Sequence, residues 1–531
     1  MGSDNNRSIW ASSRRPRRIH QVLAVIALAT GLAACGDSTV TSTPALTLTP
    51  TFTLTALTST ASITSTPTVT VTPTPADRPI APLSSAGRWF TDAAGRVVMF
   101  HGMNMVQKTD PYYPAAYGFG DDDVAFLVEQ GFNALRLGVD FRGLMPTPGI
   151  VEETYIDHLA ETVDAASRHQ MFVLLDFHQD GFSPMFNGNG LPDWMAITDG
   201  LPNPPNAVFP LYYIQNPAVQ RAFEHFWANS PGPNGVGLQD YYLQGVERVV
   251  ARFADNPLVL GVELMNEPFP GAQWQACALN AAGCPDLEQQ RLEPFYQKGA
   301  AAARALAPRQ LVFVEPFVLF NFGQAATSLP GTNPGVALAV HSYATSQTGE
   351  VGVVTHAVDA AQRDQAPLLL TEFGAVTDAV VLNRLTAEME AGLVPWMFWA
   401  YEGEIINDRS QPAGPDNLRS PEAFDALVRP YPVALTGTPT AIAFDPDTNA
   451  FDLTYDTTGP GGVHYASDLV SVVFIPQRHY STGYGVTVQG AIVISAPCAS
   501  PLLLRNQPDA ASVSVHVVPA SGACEGLGGV Q

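Results

Sequence analysis

Two glutamates stand in sequence contexts that suit acid–base chemistry. Glu267 lies in "GVELMNEP" and Glu372 lies in "LLLTEFG", each at the end of an apolar run. They are 372 − 267 = 105 residues apart, so only the fold can bring them together. Two opposed carboxyl groups can cleave a glycosidic bond, because one protonates the leaving oxygen while the other attacks the sugar or activates water. The pair therefore predicts glycoside hydrolysis, in which burial and neighbouring negative charge raise the pKa of the acid.

Other polar side chains also end or follow apolar runs and are candidates for the same site. We expect Glu263 and Glu315 to be structural partners of the site. Asp176 is either part of the site or a structural hydrogen-bond acceptor, and His178 and His341 could instead be core histidines. A metal site is not expected, because the histidines show no His-x-x-x-His spacing. The full candidate set is His101, Asn104, Lys108, Arg136, Asp176, His178, Asp180, Asn266, Glu315, His341, Tyr343, Trp399 and Tyr401.

The elements that must position these residues alternate between apolar runs and helical stretches. Most of the runs are continuous, which is typical of parallel strands buried on both faces. Helical apolar spacing separates them, for example over 121–131, 155–169, 238–254 and 287–307. The alternation predicts an α/β fold, a (β/α)8 TIM barrel over 83–430, with catalytic residues at the carboxyl ends of its strands. The alternative is a doubly wound open sheet. The eight runs are "GMNM", "NALRLGV", "FVLLDFH", "GVELMNEP", "LVFVEP", "ALAVHSY", "LLLTEFG" and "PWMFWAY".

The rest of the chain has a different composition. Residues 431–531 contain short, alternating or β-branched runs with turns between them, which predict a small antiparallel β-sandwich. Residues 36–82 are dominated by Thr, Ser and Pro and predict an extended linker that buries no core.

Residues 1–35 have the pattern of an export signal. A basic stretch precedes a 13-residue apolar run that is too short to span a bilayer, and the run ends in "LAAC" at Cys35. This ending resembles the lipobox of bacterial lipoproteins, which implies lipidation of Cys35. The alternative is an ordinary secretory peptide cut near Ala34. In either case we expect an extracytoplasmic protein, membrane-anchored through the lipid or secreted.

Charge and cysteine content narrow the partners and the compartment. The formal net charge is −23, so nucleic acid is excluded as a partner by like-charge repulsion. Four cysteines besides Cys35 suit two disulfides in an oxidising compartment. Three pairings are possible, and proximity in the sequence favours Cys277–Cys284 and Cys498–Cys524.

Residues 88 to 430 resemble glycoside hydrolase family 5, and within it the endoglycoceramidases. The segments that carry the likeness are "HGMNMVQKTDPYYP", "NALRLGV", "LLDFHQDGFSP", "ELMNEPFPG", "HSY" and "WMFWAYE". "DFHQD" and the lysine of "VQKTDPYYP" are its most specific parts, while Asn-Glu-Pro is shared by a much larger clan. The likeness extends only weakly into the trailing β-sandwich.

The resemblance implies roles for individual residues. Glu267 is the acid/base and Glu372 the nucleophile. Asn266 holds the sugar 2-hydroxyl, Tyr343 steadies the nucleophile, and Trp399 forms an apolar floor under the reacting sugar. Lys108, His178 and Asp180 bind sugar hydroxyls, Arg136 orients Glu372, and His341 supports the pair.

The resulting hypothesis is a monomeric, cofactor-independent retaining glycosidase that separates the glycan of a glycosphingolipid from its ceramide. One alternative is another family 5 activity on a β-glycoside, such as a β-glucanase, a β-mannanase or a glucolipid glucosidase. Another is a glycan-binding surface lipoprotein without catalysis.

A long insertion over 181–216 is the last feature without an assigned role. Its apolar residues either form a wall for a lipid aglycone or simply pack the insertion onto the barrel. They are Phe182, Met185, Phe186, Trp194, Met195, Phe209, Tyr212 and Tyr213.

Overall fold

The computed structural model describes residues 77–205, 209–326, 335–344 and 346–520. The predicted export signal, most of the predicted linker, Cys35 and Cys524 lie outside these residues. Within the described part of the chain, no helix is long and apolar enough to cross a membrane.

Eight parallel strands close into a barrel, so the predicted fold class is confirmed and the open-sheet alternative is wrong. Closure occurs where the last strand pairs with the first, for example Trp396 with His101. Each predicted apolar run contributes one strand. The strands are β4 (His101–Met105), β5 (Ala134–Asp140), β6 (Phe172–His178), β7 (Val259–Glu263), β8 (Leu311–Val314), β9 (Val336–Ser342), β10 (Leu368–Gly374) and β11 (Trp396–Trp399).

The helices around the barrel pack an apolar face against the strands and expose a charged face. In the helix Glu153–Arg168, for instance, Ile156, Leu159 and Val163 are buried. The α-helices are Asp121–Glu129, Phe141–Leu144, Glu153–Arg168, Leu211–Gln215, Pro217–Trp227, Leu238–Phe253, Trp274–Leu279, Pro285–Leu287, Glu293–Leu306, Gln347–Asp364, Ala379–Gly392 and Pro421–Leu427.

The barrel interior changes from apolar to charged along the strands. Near the amino ends, Leu174, Leu311 and Leu369 belong to one buried apolar cluster. Two residues beyond Leu174, on the same face of β6, stands the buried Asp176. The apolar layer therefore closes the floor of the barrel, and the carboxyl ends carry the charged site.

The remaining strands form two packed antiparallel sheets that share a buried apolar cluster. One sheet has the order β1-β2-β3-β12-β15-β18-β17 and the other β13-β14-β19-β16. The strands are β1 (Ser84–Ala86), β2 (Trp89–Thr91), β3 (Val97–Val98), β12 (Tyr431–Leu435), β13 (Thr438–Asp445), β14 (Ala450–Asp456), β15 (Ser471–Phe474), β16 (Tyr484–Gln489), β17 (Ala491–Val493), β18 (Leu502–Asn506) and β19 (Ser512–Pro519).

This arrangement corrects the expected start of the barrel domain at residue 83. Strands β1 to β3 belong to the sandwich, because Val98 pairs with Ala434 and Val97 with Leu435. The sandwich is also tied to the barrel by Arg429, which donates to Glu390 on a barrel helix and to the Phe444 carbonyl on β13. Residues on both sides of the barrel in the chain therefore build the second domain together.

The disulfide Cys277–Cys284 is present, in the loop after β7. Cys498 is disulfide-bonded, while its expected partner Cys524 lies outside the described residues.

Candidate active site

Glu267 and Glu372 meet at the carboxyl ends of the strands. Glu267 lies just beyond β7 and Glu372 lies within β10. One oxygen of each carboxyl group and one ring nitrogen of His341 all lie within 4.8 Å of one another. This spacing fits a retaining glycosidase, whose carboxyl groups are ~5–5.5 Å apart, and is too short for the ~6.5–9.5 Å of an inverting one.

Glu267 occupies an environment that favours its protonated form. Its Oε1 accepts a hydrogen bond from Asn321 Nδ2 at 2.7 Å and lies 3.0 Å from His341 Nδ1. Its backbone N–H donates to Glu315 Oε2 at 3.2 Å, which anchors the residue at a φ of 46°. Burial, followed by the negative charge of Asp180, raises the pKa of Glu267 to about 7. The carboxyl group is thus equipped to donate a proton near neutral pH.

Glu372 has the opposite kind of surroundings. Arg136 Nη1 donates to its Oε1 at 2.5 Å, and the Tyr343 hydroxyl donates to its Oε2 at 2.8 Å. Both donors stabilise the ionised carboxylate. A charged oxygen held this way is suited to attack a sugar carbon.

Arg136 is fully buried and connects several strands. Its Nε donates to Glu263 at 2.7 Å, and its Nη2 lies 3.0 Å from Asp176. Burial alone would lower the pKa of Arg136, but the charges of Asp176, Glu263 and Glu372 raise it well above its usual value. The guanidinium therefore stays charged and holds three carboxylates in place.

The same guanidinium orients two asparagines. Arg136 donates to Asn104 Oδ1 at 3.0 Å and to Asn266 Oδ1 at 2.8 Å. The Asn266 amide also donates to the backbone carbonyl of Gln179 at 2.9 Å. These bonds fix the plane of the Asn266 side chain beside Glu267, where the family resemblance places the sugar 2-hydroxyl.

His341 and Glu315 lie beneath the catalytic pair. Burial lowers the pKa of His341 to about 4, so the imidazole is neutral near pH 7. Its second ring nitrogen lies 3.4 Å from Glu315 Oε1. Burial and the charge of Glu263 raise the pKa of Glu315 well above its usual value, which favours its neutral form. Both residues support Glu267, since His341 Nδ1 lies 3.0 Å from its carboxyl group and Glu315 accepts its backbone N–H.

Four predicted substrate-binding residues form a second cluster at one side of the mouth. Lys108 Nζ contacts Asp180 at 2.5 Å and lies 4.4 Å from the centre of the Trp399 ring. The His178 ring stacks on the same Trp399 ring, with the two ring centres 5.3 Å apart. Burial would lower the pKa of His178, but Asp176 and Asp180 raise it to about 9. The cluster combines the aromatic ring of Trp399 with charged hydrogen-bonding groups that contact it.

Other candidates do not join the site. His101 lies near the amino end of β4, where its ring stacks on those of Trp396 and Tyr431. It therefore does not lie with His178 and His341, the other two histidines considered as metal ligands. Two carboxylate–histidine groups in the described residues are close enough to share an ion. However, Arg136 contacts carboxylates of both groups and opposes a further positive charge there.

Sequence reasoning missed two positioning residues. Asn321 holds the carboxyl of Glu267, and Gln179 donates to the backbone carbonyls of Asn266 and Glu267 at 2.8 and 3.1 Å. Gln179 lies inside the quoted "DFHQD" segment, which was the available signal. Asn321 lies in the short 3₁₀ helix Val318–Phe322, where the sequence shows nothing unusual.

The apolar candidates of the insertion over 181–216 mostly pack onto the barrel rather than forming a lipid wall. Five of its eight apolar candidates are buried, namely Phe182, Phe186, Met195, Tyr212 and Tyr213. Met185 and Phe209 are exposed, at 42% and 59%. Trp194 is partly buried and lies in a groove on the Lys108 side of the mouth.

The sequence matches two family profiles. Residues 91–404 match the profile described as cellulase (glycosyl hydrolase family 5). Residues 429–517 match the profile described as glycoside hydrolase family 5 C-terminal domain.

Named relatives cover most of the chain. Endoglycoceramidase I of Rhodococcus hoagii (strain 103S) is 32% identical over 489 residues, 85% of this chain and 93% of that protein. The endoglycoceramidase of Cyanea nozakii is 28% identical over 438 residues, 75% of this chain and 84% of that protein. The solved lactosyl-enzyme intermediate of endo-glycoceramidase II from Rhodococcus sp. has a TM-score of 0.65 at 25% identity, covering 82% of this chain and 100% of that one.

Replacing Arg136 should destabilise the protein strongly. Arg136→Met leaves Asp176 and Glu263 buried without their counter-charge, which should cost about 3–5 kcal/mol of folding free energy. Thermal unfolding followed by tryptophan fluorescence measures the loss. The matched control is Arg248→Met, which removes a half-exposed pair with Glu153 and should leave the midpoint unchanged. Equal midpoints for both variants would contradict the central role of Arg136.

Proposed function

The chain belongs to glycoside hydrolase family 5, and we propose that it hydrolyses the β-glycosidic bond between the glycan and the ceramide of glycosphingolipids. The observation that carries the proposal is the pair of carboxyl groups less than 4.8 Å apart in different electrostatic environments. The named relatives with matching length are endoglycoceramidases, in agreement with the resemblance found in the sequence. The enzyme is a retaining glycosidase, like that family.

The first half of the reaction forms a covalent glycosyl-enzyme. Glu372 attacks the anomeric carbon of the glycan's reducing-end sugar. The bond from that carbon to the ceramide oxygen breaks, and the oxygen takes the proton of Glu267. Ceramide leaves as a neutral alcohol, and Glu267 becomes a carboxylate.

The second half releases the intact oligosaccharide. Glu267, now ionised, accepts a proton from a water molecule whose oxygen attacks the anomeric carbon. The bond to Glu372 breaks and returns the pair of electrons to its carboxylate. Two displacements at one carbon restore the original β configuration.

The other site residues bind the sugar in this proposal. Asn266 is fixed by Arg136 where it can hold the 2-hydroxyl, an interaction that strengthens as positive charge develops on the ring. Tyr343 donates a hydrogen bond to Glu372 and so stabilises its negative charge before attack. Trp399 supplies an apolar surface for the sugar, and Lys108, whose Nζ lies over the Trp399 ring, and Asp180 supply hydrogen-bonding groups beside it.

Other family 5 activities use the same pair of carboxyl groups, so the catalytic geometry does not separate them. The substrate assignment rests on the relatives and on the "DFHQD" and Lys108 segments, and product analysis tests it directly. The alternative of a binding protein without catalysis is wrong, because the chain is a member of a family of hydrolases that has kept both carboxyl groups.

We also propose that the protein is a monomer held at a membrane surface by lipid attached to Cys35. The support is the "LAAC" pattern after a basic and an apolar stretch. The Thr/Ser/Pro-rich residues 36–82 would then space the catalytic domain from the bilayer that contains its substrate.

The first prediction concerns the products and the nucleophile. Lactosylceramide should yield lactose and ceramide in equal amounts, separable by thin-layer chromatography. A 2-deoxy-2-fluoro-lactosyl fluoride should label the peptide that contains Glu372, as seen by mass spectrometry. Glu372→Gln should lose the label and lower kcat/KM by ~10³-fold or more. Cleavage of soluble β-glucan but not of lactosylceramide would overturn the substrate assignment.

A second prediction follows from the raised pKa of Glu267. The acid must carry its proton, which it holds below its pKa, so kcat/KM on lactosylceramide should fall as the pH rises through about 7. A lactoside with a dinitrophenol leaving group needs no proton donor in the first step. With Glu267→Ala and this substrate, the alkaline decline should vanish, and azide should restore turnover as a β-glycosyl azide. If the alkaline decline of kcat/KM persisted in Glu267→Ala, it would be caused by the titration of another group.

The lipid anchor gives a third prediction. In a bacterial host, the wild type should incorporate a labelled fatty acid and partition into the detergent phase of Triton X-114. Cys35→Ala should lose both properties, because the thiol that carries the lipid is gone, while Ser38→Ala should behave as wild type. Equal labelling of all three would contradict lipidation at Cys35.

A further inference from the structure

A second concave surface lies beside the catalytic mouth. It is a cavity of about 720 Å³ between the loops that follow β4, β5 and β6. We call it the aromatic groove and define it by Tyr112, Tyr113, Arg142, His158 and Trp194, which all line it. Its volume falls within the ~300–1,000 Å³ in which proteins usually hold small ligands.

The aromatic rings of the groove are partly exposed and held in place before any ligand arrives. Tyr113 stacks on His158 with ring centres 4.1 Å apart and planes 10° from parallel. Trp194 donates from Nε1 to the Met145 carbonyl at 3.2 Å and packs its ring edge to face against Tyr241. Fixed aromatic rings lose little freedom on binding, and they suit ligands that are apolar on one face and polar at the edge.

The charged groups of the groove favour a neutral ligand. Asp110, Glu152 and Asp193 also line it. Its arginine, Arg142, is neutralised by Asp140, whose Oδ1 accepts from Nε at 2.8 Å. The carboxylates can accept hydrogen bonds from hydroxyl groups and would repel an anion. Stacking faces with hydroxyl acceptors at the edge match a neutral sugar.

The groove lies next to the cluster of Lys108, Asp180 and Trp399, and Arg142 connects the two. Arg142 Nη2 donates to the backbone carbonyl of Lys108 at 3.0 Å, while its guanidinium lies over the Tyr112 ring at 4.3 Å. The side chain of the same Lys108 contacts Asp180 and Trp399. A glycan that extends away from the scissile bond past Lys108 therefore reaches the groove next.

We propose that the aromatic groove binds the neutral sugar units of the substrate's headgroup that lie beyond those held by Lys108, Asp180 and Trp399. The inference rests on the proposed function, because the glycan is that of the same substrate. It makes the enzyme selective for long neutral headgroups. It also gives Trp194 a place on the glycan side, away from the lipid aglycone.

The test compares two neutral glycolipids, lactosylceramide and a tetraosylceramide, with Tyr113→Ala and Trp194→Ala. Each variant should lower kcat/KM on the tetraosylceramide by about 5- to 10-fold relative to lactosylceramide, since one stacking face is lost. The ratio is insensitive to partial misfolding, which lowers both rates equally. The matched control is Trp274→Ala, a partly buried tryptophan at the start of the helix Trp274–Leu279 that follows β7, which should leave the ratio unchanged.

A binding measurement keeps this inference separate from the proposed function. By calorimetry, the free neutral tetrasaccharide should bind the wild type several-fold more tightly than lactose, and Tyr113→Ala should remove the difference. If neither glycolipid is cleaved, the proposed function is wrong, but the calorimetric comparison still tests whether the groove binds sugar. Equal losses on both glycolipids, or equal affinities for lactose and the tetrasaccharide, would overturn the groove as a sugar site. A gain specific to a sialylated headgroup would overturn its assignment to neutral sugars.

Discussion

The organisation of the site depends on one positive charge sealed inside the barrel. Arg136 has no exposed side-chain surface and contacts Asp176, Glu263 and Glu372, which come from three other strands. A buried charge of this kind is tolerated only when its hydrogen bonds and counter-charges are complete. The hydrogen bonds that complete the surroundings of Arg136 also fix the positions of the Asn266 amide and the Glu372 carboxylate. The ion network therefore positions the nucleophile and a sugar-binding group, and each depends on the other strands keeping their register.

The two catalytic carboxyl groups differ because their neighbours differ, although they are close together. Glu372 receives hydrogen bonds from a charged guanidinium and a phenol. Glu267 is buried beside a neutral imidazole and an amide, with the negative charge of Asp180 nearby. The neutral state of His341 matters, since a charged imidazole between the two would favour the ionised form of both. One pocket therefore holds a proton donor, Glu267, next to a nucleophile, Glu372.

The loops around the barrel mouth determine the chemical character of each of its sides. The loops after β4, β5 and β6 carry Lys108, Asp180 and the aromatic groove, so this side is polar and aromatic. Most apolar candidates of the insertion after β6 are buried in the core, which leaves few of them to contact a lipid. Side chains held by such packing suit glycan recognition, because sugar hydroxyls require donors and acceptors at fixed positions.

Local sequence patterns were sufficient to predict the barrel and most of the residues at its strand ends. Continuous apolar runs and helical spacing are local patterns, and in a parallel barrel they leave the polar residue after each run at one rim. Only the folded structure revealed the roles of Asn321 and Gln179, the joining of Val97 and Val98 to the second domain, and the position of Trp194 in the aromatic groove. Each of these depends on contacts between residues far apart in the chain, and such contacts follow from strand register and loop packing, which no short stretch of sequence encodes.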